Sequence, residues 1–113
     1  MRHAKVESAA AARDRANAYV QRSQLEVSSA AADAFLTVLA AGQAQNAAKV
    51  AVDNWETLRK SIHALTTAEL RPGADESRIE AEKAAANTQL SLATEAVEMS
   101  QATLSKFSRS RRT

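Results

Sequence analysis

The chain has 113 residues, of which 45% are apolar and 25% are charged, with a formal net charge of +2 and no cysteine. This length limits the chain to one domain, the lack of cysteine excludes disulfides and thiolate metal sites, and the near balance of charge argues against a nucleic-acid-binding protein. Alanine supplies 27 of the 51 apolar residues, so the chain should form helices readily while burying little side-chain area.

The first half of the chain predicts one long helix. Between Ala4 and Leu70 there is no proline, and Gly42 is the only glycine. A helix over these residues would span roughly 100 Å at ~1.5 Å per residue. Its second half has apolar residues at alternating steps of three and four, the spacing of a coiled-coil seam. The members of this seam are Ala48, Ala51, Trp55, Leu58, Ile62 and Leu65.

A second apolar stripe lies upstream in the same helix, and it is out of phase with the first. Its members are Leu25, Ala32, Phe35, Leu36 and Leu39. The change of phase falls at residues 40–46, where an insertion in the repeat would produce a stutter in a continuous helix. The alternative is a break at Gly42 that folds the chain into a three-helix bundle.

The second half predicts a helix over residues 75–107. Its seam keeps steps of four and three without a slip, which is typical of a helix packed along its whole length. The members are Ile79, Lys83, Ala86, Leu90, Ala93, Val97, Ser100, Leu104 and Phe107. Residues 108–113, which include "RSRRT", are predicted to be a disordered basic tail.

A corner at residues 71–75 separates the two helices. Pro72 disfavours helical geometry at Arg71, so the first helix should end near Leu70. Gly73 allows a tight reversal, and Asp75 suits the N-cap of the next helix. Ser77 with Glu80 offers a competing capping box. The expected fold is all-α, a long antiparallel helical hairpin of coiled-coil type.

The two helices differ in length. The second covers only the C-terminal half of the first, so about 30 residues, with Tyr19 and Leu25 among them, have no partner within the hairpin. These residues require a fold-back at Gly42, a second chain, or a segment outside this sequence.

Two stretches resemble the TolC-type outer-membrane efflux channel family. "AFLTVLAAGQ", residues 34–43, is similar to that family's A-Y-L-x-x-L-A-A-Q segment, and "LRPGADESR", residues 70–78, is similar to the corner of one branch. The resemblance extends over roughly residues 2–107. It implies one helix that descends through the periplasm, a tip, and a helix that returns.

The resemblance also implies partners. Members form trimers with sister protomers, and their periplasmic tip docks an adaptor protein of the membrane fusion type. The residues that would dock the adaptor here are Arg71, Gly73, Ala74, Asp75 and Arg78. The sequence departs from full-length members because it has no strand segment and no second repeat, and it ends in "SRSRRT". The expectation is therefore a fragment of a channel of a tripartite efflux or type I secretion system, and only the hairpin's role carries over.

No catalytic, cofactor or metal site is expected. His3 and His63 are the only histidines and lie 60 residues apart, and no nucleophile lies beside a base. No apolar run reaches the roughly 18 residues of a membrane span. The N-terminus has no signal-peptide pattern, so this chain alone would stay in the cytoplasm, whereas the full-length protein would be in the outer membrane and periplasm. The alternative function is a free-standing coiled-coil module that self-associates, and an isolated chain of either kind is expected to be a homo-oligomer.

Overall fold

The structure, a computed structural model, describes residues 2–112 and the side chains of residues 2–109. It contains two helices, α1 (Arg2–Thr67) and α2 (Gly73–Arg112), that pack side by side. The rod measures 101 × 22 × 14 Å. Three contacts fix the pairing as antiparallel: Gln45 with Thr94, Glu56 with Lys83, and His63 with Glu76. The predicted all-α hairpin is confirmed.

The first helix runs through Gly42 without a break, so the three-helix alternative is excluded. A Cβ at Gly42 would meet nothing within 4 Å. This glycine therefore marks neither a close approach nor a bend, and the alanine-rich sequence on both sides carries the helix past it.

One face of α1 packs against α2 from Ala31 to Thr66. A row of half-buried and buried positions along the middle of this face recurs at alternating steps of three and four with no slip, so the stutter expected at residues 40–46 is wrong. These positions are Ala31, Ala34, Val38, Ala41, Gln45, Ala48, Val52, Trp55, Arg59, Ile62 and Thr66. The upstream stripe instead points into solvent, because its residues lie on the opposite face of the helix.

The seam predicted for α2 faces α1 along its whole length. All nine positions from Ile79 to Phe107 are half-buried or buried, and Ser100 is buried with its hydroxyl donating to the Val97 carbonyl at 2.8 Å. On α1, Trp55, Ile62 and Leu65 are also covered, but Leu58 is 41% exposed at the edge of the interface. Among the described residues only Ala34 and Ile62 are buried apolar side chains, as expected of a thin two-helix contact.

The corner differs in detail from the prediction. Helix α1 ends at Thr67, three residues before Leu70. The Leu70 amide donates to the Leu65 carbonyl at 2.9 Å, and the Glu69 amide donates to the Thr66 carbonyl at 3.0 Å. These two bonds form a Schellman motif, whose residue after the cap adopts the left-handed conformation. That residue is Glu69, with a φ of 59°, so the expected role of Gly73 in the reversal is wrong.

Helix α2 begins at Gly73, two residues before the predicted start. The Asp75 amide donates to the Pro72 carbonyl at 3.1 Å, so Asp75 lies inside the first turn and not at the cap. The turn therefore comprises residues 68–72. At the other end α2 continues to Arg112, and residues 108–112 are helical where a disordered tail was expected.

The first helix extends beyond the second by about 25 residues. The three cross-helix contacts share one register, in which the last residue of α2, Arg112, lies level with Val27. Residues 2–26 of α1, which we call the overhang, therefore run roughly 37 Å past the paired region. Every described residue from 2 to 22 is exposed.

Candidate docking groove at the hairpin tip

A shallow groove lies beside the tip, on the edge where Leu58 is exposed. Its volume is ≈ 320 Å³. Both helices contribute to it, and its lining consists of Trp55, Leu58, Ile62, Arg71, Asp75, Arg78, Ile79 and Glu82. Four apolar side chains therefore alternate with two basic and two acidic ones, which is the composition of a protein-binding surface with an apolar centre and a charged rim.

Three of the five predicted docking residues lie in this groove. Arg71 and Asp75 form a loose ion pair, with Nη1 and Oδ2 3.8 Å apart and both side chains about half exposed. Arg78 lies three residues further along α2. Gly73 and Ala74 are exposed at the start of α2 and do not line the groove.

A cluster of charged side chains joins the two helices at the end of the groove farther from the turn, next to Trp55 and Glu82. Glu56 accepts hydrogen bonds from Arg59 Nε and Nη2, both at 2.9 Å, and its Oε2 lies 2.6 Å from Lys83 Nζ of α2. The hydrogen bonds from Arg59 and then Lys83 lower the pKa of Glu56 from 4.5 to about 2. The same contact raises the pKa of Arg59 above its ordinary value. Lys83, a polar residue in the predicted seam, is therefore paired across the interface.

A second cross-helix contact lies closer to the tip. His63 Nδ1 is 2.5 Å from Glu76 Oε1, and the histidine side chain is more than half exposed. Because the contact joins the last turns of α1 to the first turn of α2, it helps to hold the two helix ends beside the groove in one arrangement.

Sequence reasoning missed the apolar half of the groove. Trp55, Leu58 and Ile62 were assigned to the seam alone, yet each also borders the groove. Leu58 could have indicated this apolar surface, because it lies at the edge of the row of α1 residues that packs against α2. A large leucine there exposes apolar surface beside the charged tip.

Among residues 2–112, no group of three or more His, Asp or Glu side chains is placed to hold a metal ion. Helix α1 has one 18-residue window that is long and apolar enough to cross a membrane by length and composition, although no uninterrupted apolar run of that length exists. Alanine accounts for much of this property, and soluble core helices share it.

No protein-family model, curated protein or solved structure matches this chain.

Proposed function

We propose that this chain is the periplasmic hairpin of a TolC-type outer-membrane channel, and that its tip docks the adaptor protein of a tripartite efflux or type I secretion system. The observation that carries the proposal is the groove at the tip. It combines Arg71, Asp75 and Arg78 with an apolar floor from both helices.

The shape of the chain supports the same proposal. The resemblance implies a descending helix, a tight tip and a returning helix, and the chain forms a rod 101 Å long with a five-residue turn at one end. A channel hairpin must also contact sister protomers, and the exposed apolar residues along α1 leave surface for such contacts.

The docking role can be tested by binding. Purified adaptor proteins encoded in the same genome would be immobilised, and the full chain would be titrated onto each. Arg78→Glu should weaken binding at least tenfold, because it reverses a charge beside the apolar floor of the groove. The matched control is Lys49→Glu, which makes the same charge change on an exposed α1 residue far from the tip. Equal effects of both variants, or no binding by the wild type to any adaptor, would count against docking through this groove.

The channel role has a separate test. The DNA on both sides of the coding region should encode strand segments and a second copy of the hairpin repeat. If neither is present near this coding region, the channel role is lost, whatever the binding experiment shows.

A further inference from the structure

The outer face of α1, opposite α2, has an exposed stripe of apolar, small and neutral polar residues that nothing in the hairpin covers. It comprises Leu25, Ala32, Leu36, Leu39 and Val50, interleaved with the small or neutral polar residues Ser29, Gln43 and Asn46. Of its four large side chains, Leu25 is 71% exposed, Leu36 60%, Leu39 48% and Val50 57%. The stripe keeps alternating steps of three and four, which is the spacing of a helix seam.

In this part of α1 the smaller apolar side chains face α2 and the larger ones face solvent, which is the reverse of the usual distribution. Between residues 31 and 48 the face packed on α2 is Ala31, Ala34, Val38, Ala41, Gln45 and Ala48. The leucines of the same stretch are on the outside. A helix that met only α2 would gain more by burying leucine than alanine, so this stretch has the sequence of a helix packed on two sides.

Charge is also distributed unevenly along the rod. Residues 2–27 and 104–112, the open end, contain nine Lys and Arg and three Asp and Glu. Residues 28–103 contain six basic and ten acidic residues. The open end therefore has a net charge of +6 and the rest of the hairpin −4. Two such rods attract each other when they lie antiparallel, with the open end of each beside the acidic part of the other.

We infer that the outer stripe docks a second copy of this chain, antiparallel, about a twofold axis that passes between Thr37 and Val38. Leu36 of each copy then lies opposite Leu39 of the other, and Leu25 lies opposite Val50. Ala32 faces Gln43, and Ser29 faces Asn46. Every large apolar residue of the stripe is thus matched by another, as a self-complementary twofold interface requires.

The same register pairs charges at both ends of the stripe. Arg22, one step before Leu25, lies opposite Asp53 of the second copy, and the twofold axis repeats this pair. The contact ends there, because Arg15 and Lys60 would face each other two turns further out.

The register also aligns the rods along almost their full length. Arg2 of one copy lies level with Gly73 of the other, so the overhang of each runs beside the tip half of its neighbour and not into empty solvent. A parallel arrangement would place the basic open ends together and would lose the Arg22–Asp53 pairs. This inference does not rest on the proposed channel function, whose protomers would lie parallel about a threefold axis and would compete with an antiparallel second copy for the same stripe.

Disulfide cross-linking of the full chain tests the register, since the protein has no cysteine of its own. In the double variant Leu25→Cys/Val50→Cys, mild oxidation should give a covalent dimer with no free thiol. The matched controls are Leu25→Cys alone and Val50→Cys alone, whose thiols would be roughly 37 Å apart in the antiparallel dimer. Cross-linking of the single variants would indicate a parallel or different contact and would overturn the inference, as would a double variant that does not cross-link.

Light scattering over a concentration series gives an independent readout. The wild type should have the mass of two chains, and Leu36→Glu should be monomeric with unchanged helix content. Leu92→Glu, at an exposed leucine of α2, should remain dimeric. Arg22→Asp should raise the dissociation constant roughly tenfold, because two ion pairs become repulsive, and adding Asp53→Arg should restore it. A monomeric wild type, or a Leu36→Glu variant that still dimerises, contradicts the inference.

Discussion

Glu69 is the non-glycine residue of the described chain whose backbone φ is positive. Its φ of 59° is in the left-handed region, which costs a non-glycine residue about 1–2 kcal/mol. The two Schellman hydrogen bonds from residues 69 and 70 hold it there. The side chain is exposed, so nothing beyond the turn geometry requires glutamate at this position.

We therefore expect Glu69→Gly to stabilise the hairpin by about 1 kcal/mol. Chemical denaturation followed by circular dichroism measures this difference. Glu69→Ala is the control, because alanine removes the carboxylate but keeps the unfavourable conformation, and it should leave the unfolding free energy nearly unchanged. If both substitutions stabilise equally, charge and not backbone geometry is the cause.

Gly42 is the opposite case, a glycine that the structure does not need. It is in the middle of α1 with open space where a Cβ would be. Gly42→Ala should raise the unfolding free energy by about 0.5–1 kcal/mol, since glycine loses more backbone freedom than alanine when a helix forms. Thermal unfolding checks this, and a destabilised variant would show that α1 bends at this residue in solution.

At the scale of the helices, the seam can be tested by comparing two neighbouring apolar residues of α1. Ile62 is 5% exposed, whereas Leu58 is at the edge of the interface. Ile62→Ala should cost about 2 kcal/mol, at the low end for buried isoleucine because the interface is thin, and Leu58→Ala should cost clearly less. Urea titrations of both variants give the comparison, and equal losses would mean that the helices pack in another register.

The charged cluster around Glu56 predicts how the helix pairing depends on pH. Because the folded-state pKa is lowered from 4.5 to about 2, the ionised carboxylate stabilises the folded chain fully above about pH 4.5. This contribution is lost as the pH falls towards 2. The side chains of Glu56 and Arg59 are 28% exposed, so salt weakens the effect.

The measurement is the melting temperature of the wild type and of Glu56→Gln between pH 7 and pH 2. The wild type should melt higher at pH 7, and the difference should disappear near pH 2. Glu95→Gln, at an exposed α2 residue, is the control and should show no such dependence. A constant difference across the whole pH range would contradict the assigned role of Glu56.

The packed face of each helix could be predicted from the sequence only where large apolar side chains mark it. In α2 the large residues Ile79, Leu90, Val97 and Leu104 stand out from a polar helix, so the packed face could be identified. In α1 alanine is on every face, and leucines 25, 36 and 39 are on the outer one. Their prominence suggested a change of phase that the structure does not have.

The corner shows the same limit. Pro72 located the turn, but the position of the left-handed residue depends on the exact end of α1, which a sequence pattern defines only to within a few residues. The groove was partly predicted through Arg71, Asp75 and Arg78. Its apolar floor could not be, because Trp55 and Ile79 come from different helices and meet only after the helices pair.

For the whole molecule, the placement of the tip groove, the overhang and the outer stripe depends on one feature, the continuity of α1 across Gly42. The continuous helix separates the tip groove from the overhang by roughly 44 Å and presents the outer stripe as one surface. A fold-back at Gly42 would bury the leucines of the stripe within a single chain and remove the surface for a second copy.

The most direct test is the distance between spin labels on cysteines introduced at Val20 and Val50, both exposed on α1. Double electron–electron resonance would be recorded with excess unlabelled chain, so that only distances within one molecule contribute. A continuous α1 predicts about 45 Å between the labelled backbones, from 30 residues at ~1.5 Å each. A distance near half that value would show that the chain folds back at Gly42, and would contradict the account.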